Sequence, residues 1–80
     1  MKNWCKIIKL KKHDVLVERL TDEDNKEVVR MAAQNPGGML VQTAGFDTKE
    51  QADEFYSLYG KKQGDQLVND LNEMIPNEEV

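Results

Sequence analysis

Two neighbouring stretches decide how this chain folds: Gln34-Asn35-Pro36-Gly37-Gly38-Met39, and then Phe46-Asp47-Thr48-Lys49-Glu50-Gln51. In the first, proline presets φ at one central turn position and Gly37 accepts a positive φ at the next. A hairpin through that turn sets Gln34 opposite Met39, Ala33 opposite Leu40, Met31 opposite Gln42 and Val29 opposite Ala44. The shared face is mostly apolar, as a hairpin with one buried face requires. Strands are therefore predicted over residues 26–34 and 39–45.

The second stretch changes the period. Asp47 with Glu50, or Thr48 with Gln51, has capping-box spacing, and Ala52, Phe55, Tyr56 and Tyr59 follow on one helical face. Gly60 is read as the stop of this helix and Lys61–Gly64 as a connector. Asp65 is read as the cap of a second helix with Leu67, Val68, Leu71, Met74 and Ile75 on its stripe, ended by Pro76.

Upstream, residues 3–10 and 15–20 read as strands, joined by a turn at Lys11-Lys12-His13-Asp14. Lysines interrupt the alternation of the first. Cys5 and Ile7 share one face, and Trp4, Ile8 and Leu10 the other. Thr21–Asn25 is a polar loop. The order ββββαα predicts an α+β domain over residues 1–76: a four-stranded, mainly antiparallel sheet with two C-terminal helices packed on one face. Residues 77–80 are expected to fray. The predicted core is Ile7 or Ile8 with Val15, Val17, Val29, Met31, Leu40, Phe55, Tyr59, Leu67, Leu71 and Ile75.

Eighty residues make one small domain. No apolar run approaches the roughly 20 residues of a membrane span, and lysines break the N-terminal segment where a signal peptide would be apolar. A soluble, cytoplasmic protein is expected. One cysteine supports neither an internal disulfide nor a cysteine-based zinc site. The net charge of −4 is unevenly spread. Residues 1–20 carry Lys2, Lys6, Lys9, Lys11, Lys12 and Arg19 against Asp14 and Glu18, and the remainder is strongly acidic. A basic start can mark a binding edge, or its lysines can pair with acids and protect an edge strand. The acidic total disfavours non-specific nucleic-acid binding.

Catalytic chemistry is sparse. His13 is the only histidine and Ser57 the only serine, and nothing in the pattern brings them, or His13 and Cys5, together. The acidic loop Asp22-Glu23-Asp24-Asn25-Lys26-Glu27 has lysine and glutamate where an EF-hand needs a ligand and glycine. Gly37-Gly38 belongs to a turn, and Gly60-Lys61-Lys62 lacks the spacing of a phosphate loop. The chain reads as a non-enzyme with no catalytic residue, cofactor or metal. The helical acids Glu50, Asp53, Glu54, Asp65, Asp70 and Glu73 form either a solvated face or an imitation of nucleic-acid charge that could occupy a basic groove.

The segments Phe46–Gln51, Phe55-Tyr56-Ser57-Leu58 and Asn69-Asp70-Leu71-Asn72-Glu73-Met74 resemble the C-terminal half of a small type I-F anti-CRISPR protein of a bacteriophage. The segment from Trp4 to Val17 departs from that pattern and looks more like small proteins encoded in bacterial prophage regions. The resemblance implies strands followed by two helices and a partner in a CRISPR surveillance complex, bound through a sheet face. It implies no catalytic residue.

The leading reading is a protein-interaction module. A phage-type inhibitor or acidic decoy, and a nucleic-acid binder using the basic N-terminal hairpin, are the alternatives. With helices on one sheet face, the other stays open to a partner protein or a second copy. If Ile7, Val29 and Met31 point inward, the partner contacts are Trp4, Ile8, Arg30 and Thr43.

Overall fold

The computed structural model describes residues 4–75; the Pro76 stop, Lys2 and the tail at 77–80 lie outside them. Strands β1 (Trp4–Lys9), β2 (Asp14–Thr21), β3 (Glu27–Asn35) and β4 (Gly38–Phe46) form an antiparallel sheet in the order β1-β2-β3-β4. Helices α1 (Lys49–Leu58) and α2 (Lys61–Met74) follow and pack on one face of it. This is the α+β architecture that the change of period after Phe46 predicts.

The β3–β4 register is the expected one, from Gln34 opposite Met39 to Val29 opposite Ala44. The turn works differently. No glycine among the described residues has a positive φ. Instead the Asn35 side-chain oxygen accepts from the amides of Gly37 at 2.8 Å and Gly38 at 3.0 Å, an Asx-type closure. The Asn35 amide group donates in turn to Asn72 Oδ1 (2.9 Å) and to the Ile75 carbonyl (2.8 Å). That ties the hairpin to the end of α2 and satisfies a carbonyl that a helix end leaves free. The Asp22–Lys26 loop uses the same device: Asp22 Oδ1 accepts from the amides of Asp24 and Lys26.

At the helix starts, Thr48 rather than Asp47 caps α1, its Oγ1 accepting from the Gln51 amide at 3.2 Å. The second helix corrects the sequence reading. Gly60 is extended, with φ −140°, and is the N-cap of α2. Its amide donates to Gln63 Oε1 at 2.9 Å, so α2 begins at Lys61, one turn ahead of Asp65. The early start places Gly64 against the sheet, where Ile8, Leu10 and Val15 approach it. Met74, expected on the inner stripe, points outward and is 67% exposed.

The core lies between sheet and helices. Val15, Val17, Val29, Met31, Tyr59, Leu67 and Leu71 are buried as expected, together with Ala33, Ala52 and Val68. Ile8, Leu40, Phe46, Phe55, Tyr56 and Ile75 complete it from the margin. Burying a leucine such as Leu67 or Leu71 stabilises by about 1.5–3 kcal/mol. Ile8, not Ile7, is the inward isoleucine, because Ile8 pairs with Val15 and Ile7 with Leu16.

One inward position is charged. Arg19 continues the Val15, Val17 alternation and is 5% exposed. Its guanidinium donates to Glu27 Oε1 (2.7 Å), Asp53 Oδ1 (2.9 Å) and the Leu20 carbonyl (2.9 Å). Buried charge is tolerated where it is paired and hydrogen-bonded, and here it fastens α1 to β2 and β3. The Arg19 hydrogen bond holds the Glu27 carboxyl below the ordinary glutamate range against the opposing effect of burial, with Thr21 Oγ1 donating to the same oxygen.

Candidate functional site

Strand alternation sends alternate residues to opposite faces of the sheet, and the register assigns each one. Trp4 pairs with Arg19 and Ile8 with Val15, so both lie on the helix-covered face. Trp4 packs at a tilt beside Tyr56 of α1, with ring centroids 5.9 Å apart. Arg30 pairs with Glu18 and with Thr43 on the uncovered face. The four residues expected to form one contact patch are therefore divided, two on each side. The cause is the parity of β1, where Ile7 rather than Ile8 faces outward.

The uncovered face carries a different pattern. Ile7 stands opposite Leu16, Leu16 opposite Ala32, and Ala32 opposite Val41. These four form one apolar row across all four strands. Ile7 is 56% exposed, Leu16 37% and Val41 48%, and Met39, two residues along β4, is 56% exposed. A shallow depression of about 270 Å³ opens between Ile7, Leu16, Ala32 and Met39, edged by Asp14 and Gln34. Charged pairs flank the row. Glu18 accepts from Arg30 at 3.1 Å on one side, and Lys9 stands 3.6 Å from Asp14 on the other. The sequence reading missed Leu16, Ala32, Met39 and Val41, although their parity follows from that of Val15, Val17, Val29 and Met31.

Among the described residues, the basic side chains of the N-terminal segment do not gather into one patch. Lys6 turns to the helix side, donates to the Tyr56 carbonyl and lies 4.5 Å from the Tyr56 ring centroid; burial lowers its pKa. Lys9 pairs with Asp14, Arg30 with Glu18, and Arg19 is buried. Lys11 and Lys12 are exposed in the β1–β2 loop. β1 is an edge strand, a place where lysines disfavour pairing with another chain. β4, the other edge, carries no charged residue from Gly38 to Phe46. Among the helical acids, Asp53 is bonded to Arg19, while Glu50, Glu54, Asp65 and Glu73 are exposed.

Two further hollows lie on the helix side. A cleft of about 630 Å³ is lined by Trp4, Arg19, Thr21, Glu27, Lys49 and Asp53. No buried side-chain nitrogen or oxygen among the described residues lacks a partner, and in this wall the Arg19 side chain is bonded to those of Glu27 and Asp53. A groove of about 400 Å³ runs between the end of β4 and α1, past Phe46, Gln51, Phe55 and Leu58. Cys5 is exposed on the uncovered face, Ser57 is exposed on α1 across the sheet, and His13 lies in the β1–β2 loop. No helix among the described residues is long and apolar enough to cross a membrane. Compared with protein-family models, curated proteins and solved structures, the chain matches none.

Proposed function

We propose that the chain is a small non-enzymatic interaction module that docks a protein on the uncovered face of its sheet. The observation that carries this reading is the exposed row Ile7, Leu16, Ala32 and Val41, continued by Met39. Antiparallel sheets tolerate a wet face when that face is polar. Here the centre is apolar and the charges lie in pairs around it, the layout of an interface with an apolar core and a polar rim. Because Glu18 balances Arg30 and Asp14 balances Lys9, the face offers no excess of positive charge to a phosphate backbone. The separation of Cys5, Ser57 and His13 supports the non-enzymatic part of the reading.

The test compares the native chain with Leu16→Asp as baits in a lysate of the native host, with an untagged copy of the native chain present. Leu16 is on the uncovered face, so circular dichroism is expected to show both baits folded. Proteins retained by the native bait and absent from the variant support the reading. Equal retention by both baits overturns it.

A further inference from the structure

We infer that the protein docked on this face is a second copy of the chain, related by a twofold axis that runs parallel to the strands between β2 and β3. The inference rests on the docking reading above and adds the identity and geometry of the occupant. A twofold interface must be self-complementary, each patch meeting its own image. The axis exchanges β2 with β3 and β1 with β4. Since Ile7, Leu16, Ala32 and Val41 share one transverse row, it sets Leu16 over Ala32 of the second copy and Ile7 over Val41. A large residue meets a small one at the centre, which lets two sheets interdigitate at the usual spacing of about 10 Å.

The charges select this axis. Glu18 and Arg30 are direct neighbours across β2 and β3, so the operation lays Glu18 of each copy over Arg30 of the other. The existing pair at 3.1 Å becomes one side of a four-charge ring of alternating sign. On the other flank Asp14 comes over Gln34 and Lys9 over Met39, so no like charges meet. A twofold axis turned across the strands would instead set Asp14 over Glu18, two acids face to face, and like charges in juxtaposition oppose association.

The size of the face sets the strength. Strands of six to nine residues, at about 3.3 Å per residue and four abreast at about 4.8 Å, give a footprint of about 500 Å² per copy. That is the low end of specific interfaces, where association is reversible and concentration-dependent.

The experiment is a dilution series from the micromolar to the millimolar range, read by sedimentation equilibrium, on the native chain, Leu16→Asp, Glu18→Arg and Arg30→Glu. The side chains of Glu18 and Arg30 are partly exposed, and thermal melts establish that each variant is folded. The native chain is expected to approach twice its monomer mass, with the dimer dissociation constant raised at least tenfold in each variant. Mixing Glu18→Arg with Arg30→Glu restores association, because each arginine pair then faces a glutamate pair. A native chain monomeric throughout overturns the inference, and so does a mixture that stays monomeric. A dimer unchanged by both charge variants also overturns it, pointing to pairing through the uncharged β4 edge. If the native chain is monomeric yet Leu16→Asp still abolishes capture of another protein, the docking reading stands with a different occupant. If Leu16→Asp changes neither, both fall.

Discussion

Gly64→Ala is expected to stabilise this domain by about 1 kcal/mol, although Gly64 is buried between helix and sheet. The backbone imposes no penalty, because no glycine among the described residues has a positive φ. A Cβ added at Gly64 would stand 3.5 Å from Ile8 Cγ2, 3.5 Å from Val15 Cγ2 and 3.6 Å from Leu10 Cδ1, which is ordinary van der Waals contact. Replacing glycine by alanine inside a helix gains up to about 1 kcal/mol. Gly64 sits at the end of the first turn of α2, where less than that full interior value applies. The buried methyl adds a fraction of the roughly 0.8 kcal/mol of a fully buried carbon. In a domain of this size a gain of 1 kcal/mol raises Tm by about 4–8 °C. Thermal and urea melts of the two proteins read it directly. Gly38→Ala is the contrast: its Cβ would come within 3.1 Å of Ile75 Cδ1, so the gain disappears or reverses there. A loss of stability at Gly64 would refute the reasoning, since it would mean that α2 lies closer to β1 and β2 than these contacts allow. The sedimentation behaviour should not move, because Gly64 and the uncovered face are on opposite sides of the sheet.

Two further outcomes follow from the same geometry. Trp4→Ala is expected to lower stability by about 2 kcal/mol, less than the roughly 3–5 of a fully buried tryptophan, because Trp4 is 39% exposed beside Tyr56; capture by the uncovered face should be unchanged, and urea melts with parallel pull-downs check both. Glu27→Gln is expected to remove part of the acid sensitivity of folding. The Glu27 carboxyl has its pKa lowered in the folded chain, chiefly by Arg19, so its stabilising effect is full above the ordinary glutamate value of about 4.3 and is lost as pH falls through that value toward the folded one. Urea midpoints measured between neutral and acid pH should therefore fall less steeply for the variant, and an unchanged acid limb would show that the pair with Arg19 adds nothing.

The parts of the fold legible in the sequence are those where local chemistry and global packing agree. The β3–β4 register could be counted outward from Asn35-Pro36-Gly37-Gly38 because both strands alternate cleanly, and the Thr48–Gln51 spacing marked the start of α1. At Gly60-Lys61-Lys62-Gln63-Gly64 the two disagree. Glycine usually ends a helix, but here the Gln63 side chain reaches back to the Gly60 amide and starts one. The buried Arg19–Glu27 pair was legible in principle, since Arg19 keeps the parity of Val15 and Val17 and Glu27 that of Val29 and Met31. Charge hid it, because composition suggests that such residues belong outside.

The decisive ambiguity lay in β1. Both of its faces hold aliphatic residues, and Lys6 falls on the inner one with its ammonium over the Tyr56 ring, an arrangement open to a side chain with an apolar body and a charged end. Alternation alone therefore cannot orient this strand. Its partner can. β2 has a clear inner parity at Val15 and Val17, and a tight connection through Leu10–His13 sets Lys9 opposite Asp14 and so Ile8 opposite Val15. Read through that pairing, Trp4 and Ile8 leave the candidate contact surface while Arg30 and Thr43 stay on it, and Ile7 joins Leu16, Ala32 and Val41 in the row. The exchange strengthens the functional reading. A lone tryptophan among cations would have been an anchor without a surrounding surface, whereas a row spanning all four strands, with Glu18 placed to meet Arg30 of a second copy and Arg30 its Glu18, has the symmetry that a second copy requires.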